Sequence, residues 1–298
     1  MTTASRQAVT VNGVRSPVID LGPRTEEAVV FVHGNPGSKS DWWELANAIS
    51  PIGRAVALDM PGYGQADRPA HFDYTVEGYA RYLAGALDQL AISRAHLVLH
   101  DFGGPWGLAW AAAHPNQIGS LTLINIGVMP GYRWHYLARL WRMPVLGEIF
   151  MATTTRVGFS LLLRHGNPRG LPKAFVDRMF ADFNRGTRRA VLRLYRATSD
   201  LDDLATRLRA ALAGVHFPVL VVWGARDPYV PVRYAERQRD VFPGAEVKVL
   251  EDSGHWPFAD NPEAVAQMVV PFLRAQVMRS TRTHADERAT TRPASGDM

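Results

Sequence analysis

Asp101 ends an aliphatic run in the stretch "LVLHDFGGPWG" (97–107) and is followed by Phe102 and the paired glycines Gly103 and Gly104. A carboxylate at the tip of a buried strand is costly unless something satisfies it. The helix predicted after the glycines would bring backbone N–H groups and the positive end of its dipole to that point. This is the strand–turn–helix layout of a nucleophile elbow, with aspartate where serine usually stands. The change of atom changes the chemistry. A serine alkoxide suits attack on a carbonyl, whereas a carboxylate suits displacement at a saturated carbon, giving an alkyl ester that water cleaves afterwards.

Cleaving that ester requires a general base and an acid that orients it. His255 lies in "EDSGHWPFADNPE", just ahead of a helix start marked by Asn261 and Pro262. Asp227 lies in "WGARDPYVP", immediately after an apolar run at 218–224. The chain order Asp101, Asp227, His255 is the nucleophile–acid–base order that accompanies such elbows. Negative charge on the ester oxygen needs donors. In "HGNPG" (33–37) Pro36 has no N–H, which leaves the amide of Asn35, with that of Phe102 as its partner. Trp256, beside the histidine, is expected to line the substrate pocket. "DMPGYGQADRP" (59–69) reads as loop architecture.

These residues must be held by strands that end together. Apolar runs at 28–33, 54–59, 95–100, 120–125, 218–224 and 246–250 read as buried strands of a mostly parallel sheet. Helix-like stretches between them place helices on both faces of an α/β fold. Asp41 and Glu44 have capping-box spacing and predict a helix start. The alternation breaks over 127–215, which is helical in pattern and predicts an inserted lid. The expected organisation is a core of 1–126 and 216–278, a helical cap of 127–215, and a disordered tail over 279–298, where the sequence is polar and aperiodic.

Composition narrows the function. At 298 residues with 47% apolar and 20% charged residues, the chain can bury one large core. It has no cysteine, which excludes disulfides and thiolate chemistry. No apolar run is long enough to span a membrane, and the N-terminus lacks a secretory apolar core, so a cytoplasmic protein is expected. Residues 127–215 carry 14 arginines and one lysine against six acidic residues, a surplus of nine positive charges. No nucleic-acid motif accompanies that charge, so it reads as solvated helix faces and no nucleic-acid partner is expected.

Together, "HGNP", "DMPGYG", "HDFGGPWG", "WGARDP" and "SGHWPF" resemble the α/β-hydrolase superfamily, in its aspartate-nucleophile branch of epoxide hydrolases and haloalkane dehalogenases. The motifs span about residues 29–275. The resemblance implies the α/β-hydrolase fold with a helical cap, a small hydrophobic substrate, and no metal or organic cofactor. Asn35 and Leu99 fit the dehalogenases, but Phe102 stands where they usually place a halide-binding tryptophan. "AVLRLYRAT" resembles the epoxide hydrolases' second tyrosine segment, which implies that Tyr195 donates to the epoxide oxygen. Its partner would come from "GYRWHYLARLW", among Tyr132, Trp134 and Tyr136, with Tyr136 favoured and Trp134 expected in the pocket. The sequence reading is therefore an epoxide hydrolase. Dehalogenation is the alternative, and a non-catalytic binding protein of the same fold the remoter one.

Overall fold

The structure is a computed structural model, and it describes residues 7–290. Eight strands form one sheet: β1 Gln7–Val11, β2 Val14–Leu21, β3 Glu27–Val32, β4 Arg54–Leu58, β5 Arg94–His100, β6 Ile118–Ile124, β7 Val219–Gly224 and β8 Glu246–Leu250. Their order across the sheet is β1-β2-β4-β3-β5-β6-β7-β8. β2 runs antiparallel to both β1 and β4, and β3 to β8 are parallel throughout. The six strands read from sequence are all present, although β8, expected to be buried, is an edge strand in which only Leu250 is buried. The β1–β2 hairpin was not read, although Asn12 and Gly13, both at positive φ, form the turn that "VNGV" encodes.

The central strands are apolar on both faces because helices cover both. Leu97, Val98 and Leu99 of β5 are fully buried, each contributing about 1.5–3 kcal/mol relative to exposure. Register aligns the carboxyl ends. Val32 of β3 pairs with Leu99 of β5, and Ile124 of β6 pairs with His100 of β5 and Val222 of β7. The loops after β3, β5, β6, β7 and β8 therefore open on one edge of the sheet, where α/β proteins bind ligands.

Two helices pack near the first strands, α1 Trp43–Ile49 and α2 Val76–Gln89, and α3 Gly103–Ala113 follows the elbow. The Asp41–Glu44 box does not form. Asp41 instead turns back, accepting from the Ser38 backbone N–H at 3.0 Å and from Arg178 at 2.8 Å. Between β6 and β7 come six helices: α4 Tyr136–Arg142, α5 Leu146–Thr153, α6 Arg156–Gly166, α7 Lys173–Asp182, α8 Arg185–Ala197 and α9 Leu201–Leu212. α8 buries Ala190, Val191, Leu194 and Tyr195 on one face and carries its arginines on the other, as an amphipathic helix must.

A last helix, Pro262–Thr290, runs through residues 279–290, where a disordered tail was expected. Polar sequence did not end it because extending a formed helix is far easier than nucleating one. Residues 291–298, the remainder of the expected tail, lie outside the described residues.

Candidate active site

Asp101 sits just past β5 with φ at +48°, a left-handed conformation rare for a residue with a side chain. Packing holds it there. A Cβ on Gly34 would stand 2.3 Å from the Asp101 Cβ, and one on Gly103 would stand 2.3 Å from the Val32 carbonyl oxygen. Only glycine allows the β3 loop and the start of α3 to approach the elbow this closely.

The two carboxylate oxygens of Asp101 have different surroundings. Oδ1 accepts the Asn35 backbone N–H at 2.6 Å, and the Phe102 backbone N–H also bonds this carboxylate. Oδ2 lies 3.6 Å from His255 Nε2. The opposite ring nitrogen, Nδ1, is 2.7 Å from Asp227 Oδ2. Asp227 is itself fixed, its Oδ1 accepting from the backbone of Tyr229 at 2.7 Å and Val230 at 3.0 Å. The three residues read from sequence as a triad are thus brought together, and both expected amides reach Asp101.

Sequence reasoning missed Asn125. It follows β6 at φ +48°, donates to Asp227 Oδ2 at 2.8 Å, and accepts from the Gly224 N–H at 2.9 Å. One amide side chain therefore ties Asp227 to the end of β7. The His255 loop is held from the insert. His255 N–H donates to the Gly166 carbonyl, and Trp256 N–H to Asn167 Oδ1, each at 2.9 Å. His100 Nε2 is 2.8 Å from the His255 carbonyl oxygen. Burial pushes His100 down to about 3, so it is neutral and donates from that nitrogen.

Burial opposes charge on both members of the central pair, but they stabilise each other. Asp101 is held below the usual carboxylate range by its hydrogen bond to His255 and by the nearby ring. For His255, the Asp227 and Asp101 carboxylates outweigh burial and push the ring up to about 10. The resting site is therefore an ionised Asp101 facing a protonated His255.

Tyr195 is buried in the cavity above Asp101. Burial first, and then the Asp101 charge, drive its phenol well above the ordinary value, so it remains a donor. Asn35 Nδ2 donates to its oxygen at 3.3 Å. Tyr136 is a correction: it is 49% exposed, packs against His165 and Tyr229, and does not line the cavity. The residue before it takes the place. His135 Nε2 lies 3.5 Å from the Tyr195 hydroxyl, and its Nδ1 accepts the Ala138 N–H at 3.2 Å as the cap of α4. With Nδ1 accepting, the proton sits on Nε2, and burial pushes the ring down to about 4. His135 is a neutral donor. Tyr132 donates its hydroxyl to the Tyr229 carbonyl at 3.0 Å. Trp134 stacks on Phe102, and Trp256 lines the cavity beside His255.

The order and placement of these residues on this sheet are those of the α/β-hydrolase fold family, and the chain belongs to it; the family's model matches residues 27–262. Among curated relatives, the chain is 30% identical over 258 residues to the dihydrolipoyllysine-residue acetyltransferase component of an acetoin cleaving system of Pseudomonas putida. That match covers 86% of this chain and only 65% of the relative. It is 29% identical over 291 residues, 90% of this chain and 94% of the relative, to the cis-3-alkyl-4-alkyloxetan-2-one decarboxylase of Xanthomonas campestris. Among solved structures, haloalkane dehalogenase DbeA of Bradyrhizobium elkani superposes with a TM-score of 0.81 at 26% identity, over 92% of this chain and 98% of that one. Epoxide hydrolase VrEH1 of Vigna radiata gives 0.76 at 23%, over 90% and 97%, a likeness of fold. Among the described residues no cluster of metal-ligating side chains occurs, and no helix is long and apolar enough to cross a membrane.

Proposed function

We propose that this chain is an epoxide hydrolase that forms an alkyl ester on Asp101, beneath a cap made by residues 127–215. The observation that carries the reading is the pair of neutral donors, Tyr195 Oη and His135 Nε2, 3.5 Å apart in the cavity that Asp101 enters. Asp101 Oδ2 attacks a ring carbon and the carbon–oxygen bond breaks. The released oxygen is stabilised by the donor pair and takes up one proton, balanced by the one that His255 loses. Esterification removes the Asp101 charge that had kept His255 protonated, so the ring becomes a base. His255 then takes a proton from water, whose oxygen attacks the ester carbonyl. Charge develops on Oδ1, which already accepts the Asn35 amide at 2.6 Å, and the Phe102 amide also bonds this carboxylate, so the donors are in place before the step. The diol leaves, and ionised Asp101 and protonated His255 are restored. The oxetanone decarboxylase among the relatives is named for a substrate that is also a strained oxygen ring.

Halide displacement is the second reading. It is favoured by the buried indole N–H of Trp141, which lines the same cavity without a protein partner, and by the dehalogenase likeness. Against it, Phe102 offers no side-chain donor beside the nucleophile. Diol and halide assays on matched alkyl epoxides and bromoalkanes separate the two. The proposal expects diol formation to dominate, and halide release without diol formation would replace it.

A further inference from the structure

From the end of α4 through α6, the insert turns six large apolar side chains outward: Met143, Val145, Leu146, Ile149, Val157 and Leu161. Apolar residues exposed singly are ordinary, but a group of them marks a surface that meets something. Val145, 67% exposed, is held at φ +68° and ψ −53°, and the Leu146 N–H donates to the Pro144 carbonyl at 2.8 Å. This is the strained form of the γ-turn, a costly place for a β-branched side chain. Helical spacing gives α5 and α6 two faces. Phe150, Phe159 and Leu162 line the cavity that Asp101 enters, while Ile149, Val157 and Leu161 face outward.

The rim of this outer face is cationic. From 143 to 166 the one acidic residue is Glu148, and Arg196 takes its carboxylate at 2.6 and 2.8 Å. A groove of about 660 Å³ between α5 and α8 is lined by Met151, Ala152, Leu192 and three arginines. Arg188 spends its guanidinium on the Phe183, Met151 and Thr154 carbonyls. Among the described residues, the side chains of Arg185 and Arg189 have no partner, nor has that of Arg164, one turn beyond Leu161 on α6. A second copy docked by two-fold symmetry would set this rim against itself. An anionic bilayer suits both features, because apolar side chains enter the acyl boundary while guanidiniums meet the headgroups.

We infer that the outer face of α5 and α6 docks on an anionic lipid bilayer, with Leu146, Ile149, Val157 and Leu161 entering it and Arg164, Arg185 and Arg189 on its headgroups. The bilayer then lies one helix thickness, about 10 Å, from the cavity that Asp101 enters. Such docking needs no spanning helix and holds whichever bond Asp101 breaks.

Co-flotation with vesicles of phosphatidylcholine, alone or mixed equally with phosphatidylglycerol, tests it. The wild type is expected to bind the mixed vesicles at least tenfold more tightly than the neutral ones, and high salt should weaken that binding. Each basic residue near such a surface is worth about fivefold, so Arg164→Gln, Arg185→Gln and Arg189→Gln combined should lose tenfold or more. Leu146→Ser, Ile149→Ser and Val157→Ser combined should also lose at least tenfold, with the net charge unchanged. The chain has no cysteine, so Ile149→Cys carries a single environment-sensitive dye. Its emission should shift to the blue on mixed vesicles, and that of a dye on Asp88→Cys, near the end of α2, should not. If a combined variant folds poorly, this pair of singly labelled chains decides. No binding to mixed vesicles, full binding by the folded serine variant, or equal shifts of the two dyes overturns the inference. A dimer in sedimentation velocity that the serine variant abolishes, without vesicle binding, also overturns it and assigns the face to a second copy.

Discussion

Replacing Tyr195 with phenylalanine removes one oxygen from the cavity and little else. The ring keeps its contacts with Phe102, Trp134 and Trp141 at centroid distances of 5.0, 5.2 and 4.9 Å. The hydroxyl's protein contacts are long, 3.3 Å to Asn35 and 3.5 Å to His135. Losing them should cost no more than about 1.5 kcal/mol of stability. The catalytic cost is larger, because a donor aimed at a developing oxyanion is worth about 10²- to 10³-fold in rate. His135 Nε2–H remains, and Asn35 Nδ2 loses its acceptor and is free to turn toward the substrate. The low end, about 10²-fold, is therefore expected. The step to measure is ester formation, by rapid quench with enzyme in excess over an epoxide. Tyr195→Phe should slow it about a hundredfold and leave ester hydrolysis close to wild type. Ester formation at the wild-type rate, or equal slowing of both steps, would refute the role given to the phenol.

His255→Gln should form the ester but not release it, and peptide mass spectrometry should find the substrate mass added to the peptide containing Asp101. Asn125→Ala strips a donor from Asp227 and an acceptor from the Gly224 N–H; it should cost about 1–3 kcal/mol of stability and slow ester hydrolysis more than ester formation, read by chemical denaturation and single-turnover kinetics. The pH dependence of stability follows from His255. Its folded value, about 10, lies above the unfolded 6.5, so its contribution is complete below about pH 6.5 and disappears as the pH rises through about 10. The wild-type melting temperature should therefore fall between pH 7 and 10 more steeply than that of His255→Gln, and parallel curves would exclude the protonated resting histidine.

The triad was legible because each member stands after a strand, buried for Asp101 and Asp227 and at the sheet edge for His255, in a loop whose glycines and prolines mark it. Asp101, Asp227 and His255 could be ordered from such local signals alone. Asn125 could not, since its role exists only once β6 and β7 pair and bring Gly224 to its side. The Tyr136 expectation failed by one residue, which on a helix start turns a side chain by about a quarter of the circle. His135, as the cap of α4, points inward and Tyr136 outward. An N-cap preference for the imidazole was the one signal available, and it is weak beside those of serine or aspartate. The β1–β2 hairpin, by contrast, was written in Asn12-Gly13 and went unread.

The central claim is that the oxygen added to the product comes from Asp101 rather than directly from water. A single turnover in ¹⁸O-water, with enzyme in excess over an epoxide, tests it. Oδ2 leaves with the diol, and the water oxygen replaces it in the carboxylate. Mass spectrometry should therefore find the label in the peptide containing Asp101 and an unlabelled diol. Label in the diol with none in Asp101 would mean that water attacks the substrate itself, and the covalent account would be wrong.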